Sequence, residues 1–425
     1  MLKSNNSEKK ILIICQDFVP YSPSLGGVLR VITLADFLFK NGIEVYILAS
    51  KGFYYDYFGY AELCAKIQIS YVKDSQKNKN LNAITGNTWH INRKSFAYRI
   101  FNIIKRIISD FLIPDKGITL IPRYFFRASR LVSQHRIGNV LISSPPHSTQ
   151  LVGLLLKMKW DTRLNLIVDY RDSWNASSIF SKKYLLNKYI SHKLEKSLLK
   201  ETDSFLFVSE PILSKIEKLY KISISDKSVL VMNGFSTKID NLEDHLSNKE
   251  KIQIGYFGSI SDDKSSFRNI YSLLYCMKSC KKISDRIEFH FYGPITLKNY
   301  NIADFGNIFI HKSIGHHEAL TKMAEMDYLL VVHSDSTNSD EVMTGKFFEY
   351  ISVQRPIICL TPENMEAVRM IKRYNIGLHI EITDNQEIID KFLVLEKHMD
   401  DGYKLIDVND FSREKQYIKI LDLLR

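Results

Sequence analysis

Short apolar runs separated by amphipathic stretches extend along most of the chain. In the first half, such runs predict buried strands at 11–15, 44–49, 67–72, 139–143, 165–169, 204–208 and 228–232. A loop containing Gly26 and Gly27 follows the first run, and the apolar spacing then predicts a helix over 28–40 that stops at Asn41 and Gly42. A strand, a glycine-containing loop, a helix and a second strand together predict the βαβ unit of a parallel sheet.

The same alternation begins again after a polar segment at 236–251, whose few apolar residues predict a linker between domains. Beyond it, apolar runs predict strands at 252–258, 288–292, 308–311, 328–332, 356–360 and 378–380, with helical patterns between them. The sequence therefore predicts an α/β protein with two doubly wound, Rossmann-like domains, at 1–235 and 252–410, and two such domains placed face to face would leave a cleft. Such sheets bind ligands at the carboxyl ends of their strands.

Length and composition agree with two soluble domains and leave the partner open. The chain has 425 residues, of which 45% are apolar and 25% charged, so each domain can bury a core of its own. The formal net charge of +11 is spread along the chain. Such a charge favours a polyanion, an anionic membrane surface or a phosphate-bearing small substrate. No aromatic–basic RNA-binding motif or helix-turn-helix is found, so we expect no nucleic-acid partner.

The cysteines and the N-terminal segment indicate a reducing compartment. Five cysteines at scattered positions give an odd count, so we expect reduced thiols and no disulfide framework. The first apolar run is too short for a signal peptide and is soon broken by Asp17 and Pro20. No stretch of about 18 uncharged apolar residues occurs. We therefore expect a cytoplasmic protein, either soluble or peripheral on the inner face of the membrane.

The strongest candidate for chemistry is the segment from Glu341 to Glu349. A predicted strand leads into a polar loop that ends at Thr344 and Gly345, where a helix is predicted to begin. Backbone N–H groups at such a helix start can hold a diphosphate, and Lys346 adds a cation. Glu349 lies one turn into the helix, where it can accept hydrogen bonds from ribose hydroxyls, and Glu341 can reach sugar hydroxyls. The alternative is a threonine-capped helix with two surface glutamates, and the residues alone leave both interpretations open.

Polar side chains also follow two predicted strands of the first domain. His147 lies in the segment Ser-Ser-Pro-Pro-His-Ser, where it can exchange a proton or donate a hydrogen bond. The alternative is a surface histidine beside a rigid proline turn. Arg171 and Asp172 follow the next strand, and together with Asp169 they also fit a plain ion-pair cluster.

Two further loops carry weaker signals. The paired Gly26 and Gly27 allow a backbone to approach a ligand closely, although an ordinary turn explains them as well. After the first strand of the second domain, a polar loop contains Lys264 and Arg268. These cations suit a phosphate group, and they also suit a solvated loop.

The segment from Glu341 to Glu349 resembles the donor-site motif of family 4 glycosyltransferases, in which two glutamates are separated by seven residues. Two short segments are similar to those of the family: Gly-Lys-Phe-Phe-Glu-Tyr, which begins between the two glutamates, and Arg-Pro-Ile-Ile, which follows them. The resemblance implies the GT-B fold. It also implies that Glu341 contacts the donor sugar, that Glu349 contacts the ribose, and that the tail at 411–425 is a helix that crosses back to the first domain.

The first domain resembles a bacterial subset of this family that makes cell-surface polysaccharides. The subset has Ser-Ser-Pro-Pro-His-Ser, then Leu-Lys, then Asp-x-Arg-Asp-x-Trp, and all three occur here. The resemblance places His147 near the donor sugar or the acceptor, with Arg171 and Asp172 on the acceptor side. It also implies that the loop of Gly26 and Gly27 faces the donor phosphates.

In the second domain, the resemblance implies that Lys264 or Arg268 neutralises the donor diphosphate, and the spacing of Lys264 fits better. The family usually has Gly-Arg after the first strand of this domain, whereas this chain has Gly258 and Ser259. One common cation is therefore missing.

The implied activity is transfer of a sugar, with retention of configuration, from a nucleotide-sugar donor to a hydroxyl of a glycan or lipid-linked acceptor. No cofactor is expected, and no metal, because the sequence has no Asp-x-Asp motif. An epimerase acting on a sugar nucleotide, or a non-catalytic nucleotide-sugar-binding protein, would share the donor site. The basic amphipathic stretch at 92–136 suits an anionic membrane surface or packing on its own domain, and both remain open.

Overall fold

The computed structural model describes residues 9–22, 27–54, 60–74, 111–177, 184–236, 250–334, 339–341, 343, 345–395 and 408–425. The chain forms two compact units, Met1–Met232 with Tyr417–Arg425 and Asn233–Gln416. The second domain was predicted at 252–410, and the second unit also takes in 233–251 and 411–416. Most of the predicted linker at 236–251 lies outside the described residues.

The first unit contains one parallel sheet of seven strands, in the order β3-β2-β1-β4-β5-β6-β7. These strands are β1 (Lys10–Ile14), β2 (Glu44–Lys51), β3 (Gln68–Lys73), β4 (Asn139–Ser144), β5 (Asn165–Tyr170), β6 (Ser204–Phe207) and β7 (Ser228–Leu230).

Helices cover both faces of this sheet. On one face are α1 (Leu29–Lys40) and α2 (Ala61–Lys66), and on the other are α3 (Ile121–His135), α4 (Ser148–Trp160), α5 (Leu185–Glu201) and α6 (Glu210–Tyr220). Alternate residues of β1 divide between the two layers: Ile13 packs in the layer of α1, and Leu12 in that of α3 and α4. Because both faces are covered, the strands are apolar along their length and appear in the sequence as continuous runs.

The second unit repeats this plan with a six-stranded parallel sheet, in the order β12-β10-β8-β13-β14-β15, and a separate two-stranded ladder of β9 and β11. Its strands are β8 (Ile252–Phe257), β9 (Ile260–Ser261), β10 (Ile287–Tyr292), β11 (Ile295–Thr296), β12 (Ile308–His311), β13 (Tyr328–Val332), β14 (Ile357–Thr361) and β15 (Gly377–Glu381). Every strand predicted from the sequence is present, with ends shifted by at most two residues. The short strands β9 and β11 were not predicted.

The helices after β8 are α7 (Tyr271–Ser279), α8 (Lys281–Arg286), α9 (His316–Ala324), α10 (Gly345–Ser352), α11 (Glu366–Tyr374), α12 (Asn385–Leu393) and α13 (Arg413–Leu421). Helix α13 begins in the second unit, and its later residues Tyr417 and Ile420 are buried in the α1 layer of the first unit. Among the described residues, no helix combines the length and the apolar character that a membrane span requires.

The strand order reverses once in each sheet, between β1 and β4 in the first and between β8 and β13 in the second. Crossover helices on either side of such a point diverge and leave a crevice at the carboxyl ends of the two strands. A ligand site is therefore expected at each of these two points.

Candidate functional site

In the second unit, helix α10 begins beside the loop that follows β8. The backbone N–H of Phe257, the last residue of β8, donates to the hydroxyl of Tyr350 on α10 at 3.2 Å. The next residue, Gly258, has a φ of +137° and donates its N–H to the carbonyl of Tyr292 at 2.7 Å. The first contact joins α10 to the end of β8, at the strand-order reversal of the second sheet, and the second joins the residue after β8 to the end of β10.

The Lys346 side chain, in the first turn of α10, fills the space next to Gly258. A Cβ atom at Gly258 would overlap with the Nζ atom of Lys346. The same Nζ lies 5.5 Å from the ring centroid of Tyr256. The absence of a side chain at Gly258 is therefore what allows the ammonium group to reach the end of β8.

Arg268 approaches the same position from the loop after β9. Its Nη1 donates to Oγ of Ser259 at 3.4 Å. The loop is held by the end of β13: Nδ2 of Asn269 donates to Oγ of Ser334 at 2.6 Å, and the N–H of Ser334 donates to the carbonyl of Phe267 at 2.9 Å. The loop that carries Arg268 is thus attached to both strands that border the crevice.

Lys346 and Arg268 form a cluster of positive charge. Burial and the nearby Arg268 lower the pKa of Lys346 to about 8, and the opposite effect of Glu349 is smaller. Lys264, which the sequence spacing favoured over Arg268, is exposed and stacks its Nζ 3.9 Å from the ring centroid of Tyr271. The structure therefore brings Arg268, and not Lys264, close enough to affect Lys346.

Glu349 lies one turn further along α10 and is mostly buried. Burial raises the pKa of its carboxyl group, while His316, Arg413 and Lys346 act to lower it. Nδ1 of His316 lies 3.7 Å from Oε1 of Glu349. Glu349 therefore lies near His316, Arg413 and Lys346, and its carboxyl oxygens can accept hydrogen bonds.

Sequence reasoning missed His316 and Arg413 as members of this cluster. His316 opens α9 after the carboxyl end of β12, so its position at a strand end was the one available signal. Arg413 is held by the carbonyl of Asn233 at 3.1 Å and by Oγ of Ser236. No spacing rule connects residues so far apart in sequence, and only the fold brings them to Glu349.

Glu341 occupies the turn Ser339–Glu341 before α10, and its side chain is buried. The turn is anchored by Arg369 on α11, which donates to the carbonyl of Asp340 at 2.7 Å and to the carboxylate of Glu366 at 2.7 Å. Gly345 is the first residue of α10, as predicted.

Two predicted site residues, Thr344 and Gly26, lie outside the described residues.

In the first unit, His147 is fully buried just before α4. Its ring is stacked on Trp174, with centroids 5.7 Å apart and planes 9° from parallel. Burial is the main reason why the pKa of His147 falls to about 4, although Asp115 acts in the opposite direction. The ring is thus neutral at pH 7 and is buried in the first unit; the resemblance implied a position near the donor sugar or the acceptor.

Arg171 and Asp172 have different environments at the end of β5. The Arg171 guanidinium donates to three backbone carbonyls, those of Gly27, Ser144 (3.0 Å) and Pro145 (3.0 Å). Arg171 therefore joins the loop before α1 to the end of β4, and its guanidinium is engaged in these three hydrogen bonds. Asp172 is exposed, so it is the member of the pair that can meet a ligand.

No family model and no curated protein sequence matches this chain. Solved structures match it over 98% of its length. Sucrose-phosphate synthase from Thermosynechococcus elongatus has 11% identity, a TM-score of 0.63 and 98% of its own chain covered. An E. coli structure described as trehalose-6-phosphate bound with UDP-2-fluoro glucose has 11% identity, a TM-score of 0.61 and 99% covered. The fold is GT-B.

A third similar structure is a proposed UDP-N-acetylglucosamine 2-epimerase from Listeria monocytogenes, with 10% identity, a TM-score of 0.53, and 98% of this chain and 95% of that chain covered. At such identities, the similarity establishes the GT-B fold and no activity. Function has to be argued from the residues of the site.

Proposed function

We propose that this chain is a retaining glycosyltransferase that moves a sugar from a nucleotide-sugar donor to a hydroxyl of a glycan or lipid-linked acceptor in the synthesis of cell-surface polysaccharide. The observation that supports it best is the cluster of Lys346, Arg268 and Glu349 at the strand-order reversal of the second sheet. It combines two cations with one carboxylate at the start of a helix, as a nucleoside diphosphate requires.

The diphosphate would bind between Lys346 and Arg268. The backbone N–H groups in the first turn of α10 carry no intrahelical partner and can donate to phosphate oxygens. A bound diphosphate would be the negative counter-charge for Lys346 and Arg268, and it would raise the pKa of Lys346. The same cations would stabilise the charge that develops on the diphosphate as it leaves the sugar.

The sugars would lie on either side of the diphosphate. Glu349 would accept hydrogen bonds from the ribose hydroxyls, with His316 orienting its carboxylate. Glu341 would accept hydrogen bonds from the donor sugar, and Arg369 would hold its turn in place. Buried or mostly buried carboxylates suit this task because such hydrogen bonds are strongest away from water.

Transfer would proceed on one face of the sugar, with the departing diphosphate taking the proton of the acceptor hydroxyl. The contribution of the protein is then positioning and neutralisation of charge. Asp172 would orient the acceptor. We assign His147 to holding the Trp174 segment that carries Asp172, because a buried neutral imidazole is a poor proton donor at pH 7.

A thermal-shift screen of nucleotide sugars tests the donor site. A donor at about a hundred times its dissociation constant should stabilise the protein by about 2.7 kcal/mol. Glu349→Ala should remove this shift. Glu318→Ala, at an exposed glutamate on α9, is the matched control and should keep it. If no nucleotide sugar raises the melting temperature, or if Glu349→Ala leaves the shift intact, the proposed donor site is wrong.

Product analysis separates transfer from the activities that share the site. A transferase should release the nucleoside diphosphate in step with a glycosylated acceptor. Release of nucleotide and free sugar without such a product would favour an epimerase, and tight binding without turnover would favour a binding protein. Activity that EDTA abolishes and magnesium restores would contradict the metal-independent mechanism.

A further inference from the structure

In the first part of helix α5, in the first unit, polar side chains face the interior and large apolar side chains face the solvent. The side chains that face inward are polar and buried, namely Asn187, Ser191 and Glu195. The outward side chains are large and apolar: Leu185 is 85% exposed, Leu186 66% and Tyr189 60%. A surface helix of a soluble protein normally has the opposite arrangement.

Two of the inward polar side chains, Glu195 and Ser191, are hydrogen-bonded to neighbouring elements, and these bonds fix the orientation of α5. Glu195 accepts from the hydroxyls of Tyr170 at 3.1 Å and Tyr220 at 2.7 Å, and from the side-chain amide of Asn175 at 2.7 Å. Oγ of Ser191 accepts from Nε1 of Trp174 at 3.0 Å. Rotating the helix to bury its leucines would break this network and leave a buried carboxylate without partners.

The exposed apolar surface extends beyond the helix. Phe111 stacks on Tyr184 with ring centroids 5.7 Å apart, and both rings are exposed. We call the resulting surface the α5 patch; it consists of Phe111, Tyr184, Leu185, Leu186, Tyr189 and Ile190. So many exposed large apolar residues in one place mark an interaction site.

The charges around the α5 patch are positive. The exposed charged residues of α5 are Lys188, Lys193, Lys196, Lys200 and Glu201, and the one acid among them is the last residue of the helix. Nζ of Lys193 lies 5.4 Å from the ring centroid of Tyr189, within the patch itself. A partner must therefore be apolar where it meets the leucines and anionic where it meets the lysines.

We propose that the α5 patch docks on an anionic lipid surface. Leucines, tyrosines and phenylalanine are the side chains that enter the boundary between headgroups and acyl chains, and lysines beside them can reach anionic headgroups. A second copy of this chain fits less well, because the lysines of two patches would repel each other and each copy has a formal charge of +11.

Residues 92–110 of the basic amphipathic stretch at 92–136 lie outside the described residues. In its described part, Phe111 belongs to the α5 patch, whereas α3 packs its Tyr124 and Leu131 in the core. Two arginines of α3 are also engaged in hydrogen bonds: Arg123 donates to the carbonyl of Lys73 at 3.1 Å, and Arg127 donates to the hydroxyl of Ser70 at 3.1 Å.

The α5 patch adjoins the carboxyl edge of the first sheet. Asn175, three residues after Asp172, donates to the carbonyl of Ser191 on α5 at 3.1 Å. Docking would thus present a lipid-linked acceptor near Asp172. This last point rests on the proposed function, whereas docking itself does not.

Sedimentation with lipid vesicles tests the proposal on the full-length protein. At low salt, the protein should sediment with vesicles of phosphatidylglycerol and phosphatidylcholine and stay in the supernatant with phosphatidylcholine alone. The double variant Leu185→Asp/Leu186→Asp should reduce partitioning by about tenfold or more. Lys188→Glu/Lys193→Glu should also reduce it by about tenfold or more and weaken its salt dependence.

Matched controls lie in the second unit. Val394→Asp changes another exposed apolar residue, and Lys281→Glu/Lys282→Glu makes the same change of charge at exposed lysines of α8. Both should partition as the unaltered protein does. All variants should keep the melting temperature and the nucleotide-induced shift, which separates loss of docking from loss of the donor site.

Three outcomes would overturn the proposal. The first is that the unaltered protein does not sediment with anionic vesicles. The second is equal sedimentation with neutral vesicles, and the third is unchanged sedimentation of Leu185→Asp/Leu186→Asp. A concentration-dependent dimer that this variant abolishes, without any vesicle binding, would show instead that the patch is an interface between copies.

Discussion

The ammonium group of Lys346 lies against Gly258, in space that any side chain at position 258 would occupy. Gly258 also has a φ of +137°, which residues other than glycine rarely adopt. The first turn of α10 and the end of β8 are therefore fitted to each other at this point, and the fit holds the cation where a diphosphate is proposed to bind.

Gly258→Ala should displace Lys346 and strain the backbone, at a cost of about 1–3 kcal/mol. We expect nucleotide-sugar affinity to fall by about tenfold or more, together with a lower melting temperature. Gly306→Ala is the control, because a Cβ there meets no atom within 4 Å. Titration calorimetry and thermal melting measure both effects. Unchanged affinity in Gly258→Ala would show that the position of Lys346 does not matter for binding.

Donor binding should depend on pH through Lys346. Its pKa in the free protein is about 8, and a bound diphosphate would raise it. Binding is thus at full strength well below pH 8, where Lys346 is already charged, and weakens as pH rises through 8, because a proton must then be taken up. Calorimetry with a nucleotide sugar between pH 7 and 9 should show this decline. In Lys346→Met the affinity should be lower and nearly independent of pH, and a decline that persists in this variant would assign the titration to another group.

Arg268 and Lys264 should contribute unequally to donor binding. Arg268→Ala removes a charge beside Lys346 and should weaken binding by about 1.5–3 kcal/mol, typical of a hydrogen bond to a charged group. Lys264→Ala loses a contact with Tyr271 and should change affinity by less than about twofold, as expected for an exposed cation. The dissociation constants of the two variants measure these losses. A larger loss of affinity in Lys264→Ala than in Arg268→Ala would show that Lys264 is the cation that contacts the diphosphate.

The buried pair of Arg30 and Asp169 should be important for stability. Nη2 and Nε of Arg30 donate to the two carboxylate oxygens at 2.8 and 3.0 Å, and both side chains are buried. Asp169→Asn leaves a buried guanidinium without its counter-charge and should cost about 3–5 kcal/mol. Asp304→Asn, which breaks an exposed pair with Lys278, should cost about 1 kcal/mol or less. Urea unfolding measures the free energy of unfolding of both variants. Equal losses would show that the buried pair is no more important for stability than the exposed one.

Stability should fall at mildly acidic pH because of His147. Its pKa is about 4 in the folded protein and about 6.5 when unfolded, so the unfolded chain takes up the proton first. The stabilisation is complete above pH 6.5 and is lost as pH falls towards 4, by up to about 3 kcal/mol. His147→Phe keeps an aromatic ring on Trp174 without a titrating group, so its loss of stability between pH 7 and 4.5 should be smaller. Equal losses in the two proteins would place the titration elsewhere.

The choice between the two cations shows why the sequence was incomplete as a guide. The spacing of Lys264 fitted the family better, yet Arg268 is the residue beside Lys346. The path of the loop depends on Asn269 and Ser334, which are hydrogen-bonded although they lie far apart in the chain. His316, Arg413 and the reversed faces of α5 likewise depend on contacts between distant segments. A local pattern contains no information about such contacts.

The sequence by itself determined the strands and the two α/β units, and it singled out the segment from Glu341 to Glu349 as the candidate site. Strands covered on both faces must be apolar throughout, and a helix start after a polar loop has a local pattern, so both can be recognised without long-range contacts. The tertiary structure alone decided which charges meet at that segment and which face of α5 is exposed. Both depend on the free energy of burying charged groups, which is set by the partners that the fold brings to them.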